Sequence, residues 1–206
     1  MISRYPDSEY APKSYYQKAV CYERLAALEK EAQRKQQMGD LACEEFVRLT
    51  YLYPTSNLAT DAKLRLGNYY YRTKRYRLAA SVLEKFGMAH PEHNMAAKAL
   101  LLAGYASRRN EELKVKQMAE IKRTYKPDYT MAVRIFSAIE ERYKDSKNER
   151  AEALYFAGDS LYLMETHENK VKAYQYFQRL IWDYPESKWA KYARGRMASN
   201  PIKNIR

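Results

Sequence analysis

Phe177-Gln178-Arg179-Leu180-Ile181-Trp182-Asp183-Tyr184-Pro185-Glu186-Ser187 closes one helix and opens the next. Phe177 and Leu180 share a helical face. Pro185 has no N–H and biases its predecessor toward extended backbone, and the Ser187 hydroxyl can accept from first-turn amides. The four-residue anchor Tyr184-Pro185-Glu186-Ser187 has counterparts in Tyr5-Pro6-Asp7-Ser8, Tyr53-Pro54-Thr55-Ser56, His90-Pro91-Glu92-His93 and Tyr143-Lys144-Asp145-Ser146. Their first residues stand 48, 37, 53 and 41 apart, periods that mean repeated structural units.

Other positions keep step with the last four anchors. Eleven residues before each stands Ala42, Ala79, Ala132 or Ala173; seven before, Phe46, Leu83, Phe136 or Phe177; four before, Leu49, Phe86, Ile139 or Leu180. These columns form one apolar face at helical spacing, and a second face follows the anchor, as in Ala59, Ala62, Leu66, Gly67 and Tyr70. Ser8, Ser56, Ser146 and Ser187 are the expected N-caps. Each unit therefore reads as a helix, a tight turn and an antiparallel helix. The fold class is all-α, and Tyr69-Tyr70-Tyr71, despite its β propensity, reads as helix because it lies within the columns.

Small residues recur where the paired helices should meet. Ala19, Gly67 and Gly104 share one offset from their anchors, and Gly158 joins them after a one-residue shift. A helix-interior glycine costs roughly 1 kcal/mol against alanine, so the recurrence implies helices so close that a side chain would clash.

Gly67, Tyr70, Ala79, Leu83 and Pro91 fall at the spacing of the tetratricopeptide repeat, which the chain resembles. Phe86 replaces the second alanine of many such units, and the units here are longer than that family's usual length. The phrase Phe-x-x-Leu-x-x-x-Tyr-Pro-x-Ser resembles bacterial envelope repeats, those of the barrel-assembly lipoprotein BamD and of the TolA-binding (YbgF/CpoB) proteins. The resemblance implies a tetratricopeptide-like α-solenoid of about nine or ten helices in a right-handed superhelix. It also implies a non-enzymatic protein-interaction scaffold at the periplasmic face of the outer membrane. The expected organisation is one repeat domain over residues 1–206, with units near 5–52, 53–89, 90–142 and 143–183 and a terminal helix at 184–199.

The unequal periods come from inserts between paired helices: 11 residues around Glu29–Met38, 16 around Asn110–Tyr125 and 4 near Glu165–Asn169. The first is a charged, helix-forming stretch, and after the second Pro127 is expected to restart a helix. Met1 and Ile2 occupy the register of a preceding helix, and Asn200-Pro201 ends the last one, so the sequence reads as part of a longer chain. Neither a signal peptide nor an apolar run long enough to cross a membrane is found in it. Cys21 and Cys43, one in each helix of the first unit, are read as two small buried hydrophobes, with an oxidised pair as the alternative.

For catalysis, the sequence offers no phosphate loop, nucleophile elbow or zinc spacing, and no cofactor or metal is expected. His90 and His93 flank Glu92, but they stand at the repeat tyrosine and at the capping serine, which accounts for both. Binding is what such an architecture does. Carrying over the tetratricopeptide ligand-facing positions gives Tyr16, Glu23 and Arg24, then Asn68, Tyr71 and Arg72. It continues with Tyr105, Arg108 and Arg109, and ends with Tyr155, Asp159 and Tyr162. Arg and Tyr are the types that make interface hot spots. Lone helical tyrosines are often core, however, and this chain has 21.

The net charge of +12 is either that of a generally basic surface or is put to use in Arg72-Thr73-Lys74-Arg75-Tyr76-Arg77, Arg108-Arg109 and Lys114, Lys116, Lys122 and Arg123. If the turns share an edge, they form a basic ridge suited to an acidic protein segment, anionic lipid or nucleic acid phosphates. Two classes therefore stand: an envelope scaffold holding a protein or peptide partner, and a cytoplasmic adaptor whose basic face binds nucleic acid or an acidic partner.

Overall fold

In a computed structural model, which describes residue 8 and residues 10–199, every described anchor makes the same turn. The N–H of Tyr53, Tyr143 and Tyr184 donates to the carbonyl of the column residue four before it, at 3.0 Å in each case. The fourth anchor residue then donates back to the first, Ser56 to Tyr53, His93 to His90, Ser146 to Tyr143 and Ser187 to Tyr184. Tyr143-Lys144-Asp145-Ser146 does this without a proline, so the turn is set by its hydrogen bonds, and proline only favours it.

Capping follows the expectation at three serines. Ser8 Oγ accepts from Tyr10 N, Ser56 Oγ from Leu58 N and Ser187 Oγ from Ala190 N. His93 takes over the role in its unit, its Nδ1 accepting from Met95 N at 3.1 Å. Ser146 is the exception: it occupies the N-cap but makes no side-chain cap bond. Residues 5–7, 1–2 and 200–201, on which the first anchor and the chain-end readings partly rest, lie outside the described residues.

Among the described residues the elements are α1 (Tyr10–Leu28), α2 (Ala32–Leu52), α3 (Asn57–Arg72), α4 (Tyr76–Ala89), α5 (Ala96–Glu120), α6 (Thr130–Arg142), α7 (Lys147–Leu163), α8 (His167–Asp183) and α9 (Lys188–Ser199), with no strand. The fold is all-α and tetratricopeptide-like. The chain divides into two compact units, one ending at Phe86 and the other beginning at Gly87. In the first, Ala19, Phe46, Leu49, Ala59, Ala62 and Leu66 form a core cluster. In the second, Leu154, Ala173, Phe177, Leu180, Ala190 and Ala193 do so. All twelve column residues are buried. Each buried aromatic or leucine contributes on the order of 1.5–3 kcal/mol.

The three repeat glycines have a common cause. A Cβ on Gly67 would overlap the Leu83 side chain. One on Gly104 would stand 2.6 Å from Phe136 Cζ, and one on Gly158 would stand 2.7 Å from Phe177 Cε1. Leu83, Phe136 and Phe177 are the column seven before the anchor. What the glycine admits is thus the large side chain of the paired helix, seated on bare backbone.

The inserts resolve differently from one another. The first spreads over both helices of its hairpin, with a break where Glu29 Oε1 accepts from Lys30 N and Glu31 N. The second lengthens α5 to 25 residues, so Arg108 and Arg109 lie mid-helix and not at a turn, a correction to the expected ridge. The helix after it begins at Thr130 and not at Pro127; Tyr129 holds the N-cap position without a side-chain cap bond, and Asp128 Oδ1 accepts from Thr130 N at 2.9 Å in the turn that leads in. The third forms the α7–α8 turn, where Thr166 Oγ1 caps Asn169 N.

Lys74, Lys122 and Glu165 end their helices with φ of 60°, 54° and 59°. At the first, Arg75 N bonds Tyr70 O and Lys74 N bonds Tyr71 O, a Schellman close that usually takes glycine. Lys74→Gly should therefore stabilise the protein by about 0.5–1 kcal/mol in urea unfolding; a loss would show that the lysine side chain outweighs its backbone strain.

Candidate partner-binding surface

In the first unit, helical spacing places Asp61, Arg65, Asn68 and Arg72 on one stripe of α3, beside α1. Tyr16 Oη donates to Asp61, and Arg65 bridges the helices, its Nε 2.8 Å from Asp61 and its Nη1 2.6 Å from Glu23. The guanidinium also lies 5.6 Å from the Tyr16 ring centre and 5.9 Å from that of Phe46. Tyr16 and Glu23 are thus committed within the protein. Arg24, Asn68 and Arg72 are exposed, and Tyr71 is half-buried, edge-on to Tyr76 at 5.6 Å. Asp61 and Arg65 were absent from the expected set, although their four-residue spacing on one helix was a readable ion-pair signal.

The second unit repeats the theme on α5, α7 and α9. Tyr105 Oη donates to Glu152, and the ring meets Phe156 edge-on at 4.8 Å. Tyr155 stacks on Trp189 at 5.3 Å and touches Tyr192, while Arg196 lies 5.2 Å from the Tyr162 ring. Arg109 is exposed and pairs with Glu112 at 2.7 Å. Arg108 and Asp159 are buried, which corrects their expected place on a ligand-facing surface: Arg108 Nη2 donates to Asp159 Oδ2 at 2.7 Å, and Arg196 holds the other carboxylate oxygen. The buried Asp159 carboxylate is paired on both oxygens, while Arg108 keeps one nitrogen, Nη1, without a hydrogen bond among the described residues. Trp189, Tyr192 and Arg196 were not in the expected set; their spacing on α9 was visible, but not their match to α7.

Electrostatically, the basic turn after α3 is less open than its sequence suggests. Arg75 pairs with Asp40 at 2.8 Å. Burial would raise the Asp40 carboxyl, but hydrogen bonds from Gln36, Arg75 and Tyr69 hold it below the ordinary carboxylate range. Cys21 is exposed, which corrects its reading as a buried hydrophobe, because it falls on the open side of α1. Cys43 is buried, and burial pushes its thiol up. The two are not bonded. Among the described residues no three His, Cys, Asp or Glu side chains converge on a metal position. No helix of the described residues is long and apolar enough to cross a membrane.

Helix hairpins joined by anchor turns, with glycine sockets and polar–aromatic stripes on their first helices, define a tetratricopeptide-type helical-repeat protein. A family model described as outer membrane lipoprotein, YfiO, matches residues 27–204, and the chain belongs to that family. A search of curated proteins finds no match.

Proposed function

We propose that the protein is a non-enzymatic scaffold of outer-membrane assembly, working at the periplasmic face of that membrane. It holds a protein or peptide partner of acidic character against the first helices of its hairpins, in the manner of BamD. The observation that carries this reading is the stripe on α3, where Asp61 and Arg65 are tied to α1 while Arg72 and Asn68, whose Nδ2 donates to the Leu64 carbonyl, are exposed on the same face. A fixed polar base beside open hydrogen-bonding side chains suits directed recognition, and arginine and tyrosine contribute most to such contacts.

Tyr71→Ala combined with Arg72→Ala is expected to weaken capture of the partner from envelope extract by about tenfold to a hundredfold. Helicity by circular dichroism should be unchanged. Full capture by the double variant would remove this face from the binding surface, and lost helicity would place Tyr71 in the core.

A further inference from the structure

The 16-residue insert builds a feature that the repeat itself does not require. Helix α5 has 25 residues against 17 in α7, which adds about 12 Å of rod at 1.5 Å per residue. At its end Ile121, Lys122, Arg123 and Thr124 are all exposed, Ile121 at 59%. Lys126 follows, also exposed.

The tip is held in shape. Lys122 adopts φ of 54°, and Arg123 N bonds Met118 O while Lys122 N bonds Ala119 O. The returning loop is latched by the buried Glu111, whose Oε2 accepts from Tyr125 Oη at 2.6 Å and Asp128 N at 3.2 Å, with Lys114 on Oε1. Beside it runs a cleft of about 580 Å³ between Tyr125, Lys126 and Pro127 on one side and Leu163 and Glu165 on the other. Leu163 is a second exposed apolar side chain.

Among the described residues, Lys122, Arg123 and Lys126 have no acidic partner within ion-pair distance. Cations at a helix C-terminus complement its carbonyls, which accounts for some positive charge there. It does not account for an exposed isoleucine at the head of the cluster. An apolar residue collared by unpaired cations on a fixed, projecting tip matches a surface that is anionic outside and apolar just beneath. We infer that the α5 tip, through Ile121, Lys122, Arg123 and Lys126, docks on an anionic lipid surface. The inference uses none of the α3 residues and does not depend on the partner reading.

The test is co-sedimentation of the full chain with vesicles of phosphatidylcholine alone or mixed with phosphatidylglycerol. Binding is expected only to the mixed vesicles. Lys122→Gln with Arg123→Gln should weaken it about thirtyfold, and Ile121→Ser about tenfold. Lys144→Gln with Lys147→Gln removes the same charge from the exposed α6–α7 turn and should change it less than about threefold. Equal losses in the two double variants would assign binding to overall charge and overturn the proposal, as would no binding to either vesicle. Soluble polyglutamate bound as well by Ile121→Ser as by the parent, with vesicles ignored, would make an acidic protein segment the ligand and also overturn it. Circular dichroism checks each variant's fold, and partner capture through α3 is scored on the same proteins, so either reading can fail alone.

Discussion

Asp159→Ala should destabilise the second unit by about 3–5 kcal/mol, a large part of the roughly 5–15 kcal/mol that holds a typical domain. The carboxylate is the shared acceptor of Arg108 and Arg196. Arg196 keeps 34% of its side chain exposed and can turn to water. Arg108 cannot: its side chain is 11% exposed, it lies over Phe156 at 5.2 Å and Tyr129 at 5.9 Å, and its Nη1 already lacks a partner among the described residues. Removing Asp159 strands a buried cation. Arg108→Met with Asp159→Leu should recover most of the loss, because apolar replacement of a buried pair is often neutral. Urea unfolding followed by tryptophan fluorescence reads this directly, since Trp182 and Trp189 both lie in the second unit. A loss below about 1 kcal/mol for Asp159→Ala would show that the pair is hydrated in solution.

Phe136→Ala should cost a similar amount, about 3–5 kcal/mol, by emptying a fully buried site. Gly104→Ala should cost about 1–3 kcal/mol for the opposite reason, because its new methyl must displace the Phe136 ring. The two changes are coupled. In the Phe136→Ala background the methyl enters vacated space, so Gly104→Ala should become neutral or stabilising. The same urea measurement on the four proteins checks it, and simple additivity would refute the socket.

The columns made the fold legible because each anchor repeats a local signal together with the burial it demands. Ala42, Phe46 and Leu49 could be read as one face without knowing what covered it. The helix boundaries were less legible at the inserts. Nothing in Asn110–Tyr125 distinguishes a longer α5 from an added helix until Glu111 is seen gripping Tyr125 and Asp128 from 14 and 17 residues away. The candidate surface was half legible for a related reason. Helical spacing said that Tyr155, Asp159 and Tyr162 share a face, but not that α9 lies over it with Trp189 and Arg196. Whether an arginine is a hook for a partner or a strut within the protein depends on the carboxylate across from it, and that is a tertiary fact.

The seating of a large side chain on glycine also explains how the units absorb such different lengths. Each pairing closes a loop within its own hairpin, from Gly67 to Leu83, from Gly104 to Phe136 and from Gly158 to Phe177. The middle loop has 32 residues against 16 in the first. The entropy of closing a chain grows only with the logarithm of its length, so this doubling costs about 0.6 kcal/mol. A single well-seated phenylalanine exceeds that severalfold. Segments can therefore lengthen between paired helices, as the one ending at Ile121 has, with little thermodynamic consequence for the hairpin that carries them.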